Sequence, residues 1–158
     1  MNIGINNGIH RLLLFVAVAS MACGDGTEPP EHADVSGSWT YSATYTVTLG
    51  ALGTTDCSGS GVRATITQSG SSVSGTARGG EWTCDSPAFA LEPFTEEDPG
   101  QISGTVDGTS VSFEVDGFVL LMHEGTVSGN SMSGSLTGTG TIPGVGSISV
   151  TGTWSAGR

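Results

Sequence analysis

Polar and apolar residues alternate with a period of two along nearly the whole chain from Gly37 onward, most plainly in Trp39-Thr40-Tyr41-Ser42-Ala43-Thr44-Tyr45-Thr46-Val47-Thr48-Leu49. This alternation sends successive side chains to opposite faces of a strand. No stretch after residue 34 holds the 3.6-residue period of an amphipathic helix, so an all-β fold is expected. Eight strands are predicted: Gly37 to Leu49, Val62 to Gln68, Ser72 to Arg78, Gln101 to Val106, Ser110 to Val115, Phe118 to Val127, Ser131 to Thr139 and Ser147 to Ser155. Three segments echo one another, Ile66 to Thr76, Ile102 to Phe113 and Gly125 to Gly134, each with a glycine turn between alternating halves. Such turns supply the positive φ a tight reversal needs, so each echo reads as one hairpin, and their irregular spacing argues against a solenoid.

Consecutive hairpins predict an up-and-down antiparallel meander with one apolar face and no helix to cover it. Closure into a roughly eight-stranded barrel buries that face and removes the sheet edges; a β-sandwich is the alternative. In a meander the turns at 69–71, 107–109 and 128–130 share one end with the entering chain and the C-terminus. The longer loops, 50–61 and 79–100, share the other. Cys57 lies in the first long loop and Cys84 in the second, so the topology brings the two together for a disulfide. With Trp39 inward, Tyr41, Tyr45, Phe113, His123 and Trp154 also point inward, as do Gly75, Gly104, Gly125, Gly134 and Gly152. Those glycines either open a cavity or make room for the rings of Trp39, Tyr41 and Trp154. The outward face is Ser, Thr, Arg63 and Glu114, which excludes a lipid-facing transmembrane barrel.

Charge narrows the function classes. The 158 residues include 15 acidic residues and four arginines but no lysine, for a net charge of −11. Loss of Arg11 with an export segment takes that to −12, three arginines against 15 acids. Such a surface repels nucleic acid and anionic headgroups, and without lysine there is no Walker-type phosphate loop and no Schiff base. Ahead of the folded part, a stretch ending His10-Arg11 precedes an apolar run from Leu12 to Ala19, too short to span a bilayer and sized for a signal-peptide core. The Pro and acidic residues of Gly24 to Asp34 resist folding. The expected organisation is a signal peptide over 1–22, a tether over 23–34 and a barrel domain over 35–158.

Ser20-Met21-Ala22-Cys23 resembles the lipobox of bacterial lipoproteins, which implies acylation of Cys23 and membrane contact through that lipid. The three cysteines agree with this reading, since Cys23 is then consumed and Cys57 and Cys84 remain to pair in an oxidising envelope. Cleavage after Ala19 or Ala22 by ordinary signal peptidase, leaving a soluble protein with a free thiol, is the alternative. Gly24 in place of Asp lacks the simplest inner-membrane retention signal of enteric bacteria and favours the outer membrane. Gly37-Ser38-Trp39 at the first strand, Gly152-Thr153-Trp154 at the last and Arg158 beyond it are similar to the calycin pattern of lipocalins and their relatives. The resemblance implies that Trp39, Trp154 and Arg158 close one barrel end, with the Arg lying across the Trp.

Few residues carry chemistry. His123 is the only histidine of the barrel domain and faces inward where the echoing Ile102 predicts an apolar residue. It is either hydrogen-bonded to Tyr41 or Tyr45 as part of the core, or a polar anchor for a ligand that also meets Phe113. No second histidine or free cysteine accompanies it, so no metal site, haem or other cofactor is expected. No Gly-x-Ser-x-Gly elbow sits at a strand-to-helix turn, and no acid, base and nucleophile set is assembled, so no catalytic residue is assigned. Glu96-Glu97-Asp98 lacks the spacing and turn glycine of a calcium loop and reads as solvated. Trp82, Phe89, Leu91 and Phe94 flank that run as a lid or a satellite cluster. The expected function is therefore noncatalytic: a lipid-anchored envelope barrel that binds a small apolar or amphipathic ligand, or a structural or partner-binding lipoprotein with a filled barrel. A cavity above about 300 Å³ would separate the first from the second.

Overall fold

The computed structural model describes residues 31–86, 93–117, 119–143 and 146–158. Its strands are β1 (Gly37–Leu49), β2 (Thr54–Ser69), β3 (Ser72–Arg78), β4 (Glu81–Cys84), β5 (Gly100–Asp107), β6 (Ser110–Asp116), β7 (Leu121–Ser128), β8 (Ser131–Ile142) and β9 (Gly146–Gly157). All ladders are antiparallel, and the order β1-β9-β8-β7-β6-β5-β3-β2 is closed by pairing of β1 with β2 into an eight-stranded barrel. β4 is an extra strand on β2. The three echoes are the hairpins β2–β3, β5–β6 and β7–β8, and Gly70, Gly108 and Gly129 at their turns have φ of 59°, 56° and 58°. Only glycine adopts that conformation without strain.

The period-two reading holds for every strand it named. The buried set runs from Trp39 through Leu49 on β1 to Ile148, Val150 and Trp154 on β9, and the Ser and Thr between them face solvent. The inward glycines do not open a cavity. A Cβ at Gly75, Gly104, Gly134 or Gly152 would run into the adjacent strand's carbonyl oxygen, on Thr65, Ser112, Glu124 and Thr44 respectively. One at Gly125 would also lie 2.9 Å from Trp154 Cζ2. The missing side chains let the sheet coil tightly enough to close and seat a ring against its wall.

Two expectations about the wide end change. Most of 50–61 is strand, because β1 and β2 continue past the barrel as one long hairpin that reverses at 50–53. A bulge at Gly61 (φ 72°) shifts the register, so that Tyr41 pairs with Val62 but Ala43 pairs with Gly59, and the inward phase passes to Gly59, Cys57 and Thr55. β3 leaves β2 at this point and β4 takes up the vacated edge, pairing Cys57 with Cys84 and Gly59 with Trp82. The Cys57–Cys84 disulfide is present, but it joins two neighbouring strands rather than two loops.

The narrow end is sealed by the incoming chain, which packs from His32, three residues before the expected domain boundary. Ala33 N–H donates to Gly108 O (2.7 Å), Val35 N–H donates to Gln68 Oε1 (2.8 Å), and the Val35 side chain is 2 % exposed. Trp39 Nε1 donates to Val35 O (2.8 Å), while Arg158 donates to Ser36 O (2.6 Å) and Asp34 O (3.0 Å). The Arg158 guanidinium lies 4.4 Å from the centroid of the Trp39 ring, a cation–π contact. Gly-x-Trp, late Arg and eight antiparallel strands together are consistent with a lipocalin-like fold. The expected signal peptide, Cys23, Phe89 and Leu91 lie outside the described residues.

Candidate functional site

Alternation on β7 turns His123 into the barrel, where its ladder partners are Phe113 on β6 and Leu136 on β8. The imidazole is 1 % exposed and stacks on Phe113, centroids 4.7 Å apart with 9° between planes. Trp154 and Tyr41 each meet it edge-on at 5.6 Å. Nδ1 lies 3.3 Å from Leu121 O and Nε2 lies 3.0 Å from Tyr41 Oη. A neutral ring with its proton on Nδ1 satisfies both: Nδ1–H donates to the carbonyl and Nε2 accepts from the tyrosine hydroxyl. Burial depresses the His123 pKa to about 4, outweighing the Leu121 carbonyl, which favours the charged ring. Burial, with a smaller contribution from Tyr45, raises the Tyr41 pKa.

The partner of His123 is thus Tyr41 and not Tyr45. Further along the same face of β1, Tyr45 sits edge-on to Trp82 at 6.0 Å, and burial pushes its hydroxyl pKa up to about 12. Tyr45 Oη and Trp82 Nε1 are both buried without a hydrogen-bond partner among the described residues. Arg158 lies over the Trp39 ring at the narrow end. Trp154 instead belongs to the central layer, stacked with Tyr41 at 6.1 Å and packed against His123.

Trp82 and Phe94 roof this layer from the wide end, with rings edge-to-face at 6.0 Å and 88°. Glycines form their seats: a Cβ at Gly59 would collide with the Trp82 ring, and one at Gly100 would lie 2.8 Å from Phe94 Cε1. Between roof and floor remains a cavity of about 30 Å³, bounded by Tyr41, Ile66, Phe113, Leu121 and His123. That is room for about one water and roughly a tenth of a small-molecule pocket. Among the described residues, larger concavities are more open: one of about 450 Å³ on the outer wall is lined by Thr44, Thr46, Asp56, Ser58, Thr83 and Thr151, and one of about 520 Å³ beside Phe94 is lined by Pro93, Asp98, Pro99, Gln101 and Asp116. In the acidic run, Glu96 pairs with exposed Arg78 at 2.6 Å and Asp98 N–H bonds to Thr95 Oγ1.

Sequence reasoning left the role of Trp82 undecided and missed its strand. The alternation Glu81-Trp82-Thr83-Cys84 carried the signal, but over only four residues beside two glycines. Comparison of the chain with protein-family models, with curated proteins and with solved structures finds no match.

Proposed function

We propose that this chain is a lipid-anchored, noncatalytic protein of the bacterial envelope whose barrel is filled by its own side chains and whose outer surface does its work, as a structural or partner-binding lipoprotein. The observation that carries this reading is the interior of about 30 Å³ beneath Trp82 and Phe94, too small for a ligand pocket. His123 supports it, because both ring nitrogens are spent on Tyr41 and Leu121 and neither faces an open site. The anchor is proposed at Cys23, in the outer membrane. His32 is nine positions beyond Cys23, a reach of at most about 30 Å. The chain enters at the narrow end, so that end faces the membrane and the Trp82 end projects towards partners.

Fatty-acid labelling and membrane fractionation of wild type and Cys23→Ser test the anchor; an unlabelled, fully soluble wild type refutes it. Titration of the oxidised protein with a neutral solvatochromic dye and a lipid panel tests the filled barrel. No saturable binding is expected, and saturable binding abolished by Phe113→Trp would reverse the reading in favour of a small apolar ligand.

A further inference from the structure

We infer that the Cys57–Cys84 disulfide is a latch on the Trp82–Phe94 roof, and that its reduction opens the barrel interior while the barrel itself stays closed. This goes beyond the filled-barrel reading, which concerns the oxidised state alone. β4 is four residues long and pairs with β2 only over 57–60, and the disulfide joins the last of those pairs. None of the eight barrel ladders includes β4, so its release breaks no barrel pairing. Around the rings the roof is held by the short β2–β4 ladder, by Asp85 N–H donating to Asp56 O (3.0 Å), by the Ser58–Thr83 hydroxyl pair (3.0 Å), by a Gly79–Phe94 bridge and by this covalent clip, while the rings themselves are held by packing. Trp82 Nε1 and Tyr45 Oη are buried without partners among the described residues, and each such group disfavours the closed state until water reaches it. Opening hydrates both. Below them lie the apolar wall and the Tyr41–His123 pair.

The reductant is a dithiol, either a small molecule or a protein with a Cys-x-x-Cys pair. Cys57 is 5 % exposed while Cys84 is half-buried, so attack falls on Cys84. The dithiol's thiolate bonds to Cys84 Sγ, the Cys57–Cys84 bond breaks, and Cys57 leaves as a thiolate and takes a proton. The second thiol then displaces Cys84, which leaves as a thiol. Two electrons pass from the dithiol, which becomes a disulfide, to the protein.

The test uses the mature protein purified oxidised, with dithiothreitol as reductant and alkylation followed by intact mass as proof of reduction. Reduction is expected to raise acrylamide quenching of Trp82 severalfold, assigned by comparison with Trp82→Phe, and to create saturable uptake of one neutral solvatochromic dye per chain with the strand circular-dichroism signal unchanged. Gly59→Ala, whose new methyl displaces the Trp82 ring, is expected to take up dye even when oxidised. A reduced protein that still excludes dye and shields Trp82 overturns the proposal, as does loss of the strand signal on reduction, or a Gly59→Ala protein that behaves as oxidised wild type. Dye uptake by oxidised wild type would refute the filled barrel instead, so the two failures are distinguishable.

Discussion

Replacing His123 by Gln removes the one imidazole of the central layer while keeping an amide that can bond to Tyr41. In the folded protein the imidazole titrates at about 4, against 6.5 in a solvated chain. Between those values the unfolded chain binds a proton that the folded one refuses, so stability is fully present above pH 6.5 and is lost as pH falls through about 4. The gap is worth about 3 kcal/mol in all, of which about 2 kcal/mol has gone by pH 5. His123→Gln shifts the whole stability curve by a constant packing cost but removes this slope. Urea denaturation of both proteins from pH 7.5 to pH 4 measures it, because the carboxylates contribute equally to each and cancel in the difference. The wild type is expected to lose about 2 kcal/mol more than the variant between pH 7 and pH 5. Parallel curves would refute the buried neutral histidine and its bond to Tyr41.

Tyr41 and Tyr45 are the only tyrosines, and burial raises both pKa values, so alkaline ultraviolet difference spectra should show almost no phenolate at pH 10.5 while the protein is folded and about three-quarters ionisation in urea. Their shared effect on stability begins above pH 10 and grows as pH rises. Gly134→Ala forces a methyl against Glu124 O and the Gly125 backbone and is expected to cost at least about 1–3 kcal/mol in thermal or urea unfolding. Arg158→Ala removes the bonds to Ser36 and Asp34 and the contact with Trp39, for a loss of about 1–2 kcal/mol and a red shift of Trp39 emission. Reduction of the disulfide, at a sequence separation of 27, should lower the unfolding free energy by about 3–4 kcal/mol without unfolding the barrel at 25 °C.

The sequence alone determined what depends on period and punctuation. Two-residue alternation sorts inside from outside on any strand whatever its partner, so Trp39, Phe113, His123 and Trp154 were placed inward before their neighbours were known. Glycine turns fix where strands reverse, and reversals in a row make a meander that buries its apolar face most economically by closure, with a β-sandwich as the alternative that the β1–β2 pairing decides against. The contact of Arg158 with Trp39 came from neither period nor punctuation but from the resemblance of Gly37-Ser38-Trp39 and Arg158 to the calycin pattern. Tertiary structure decided what depends on a partner strand or on volume. β4 exists because β3 leaves β2 at the Gly61 bulge and exposes a ladder edge, and nothing within Glu81–Cys84 records that vacancy. The Ser- and Gly-rich stretch from Thr54 to Gly61 reads as loop by composition, yet it is strand because β1 and β4 flank it. Inward glycines are equally compatible with a hollow and a full barrel. Only the approach of neighbouring backbones and the tilt of the rings of Tyr41, Trp82, Phe94 and Trp154 show that the space is taken, because packing density is a property of the assembled interior and not of any position along the chain.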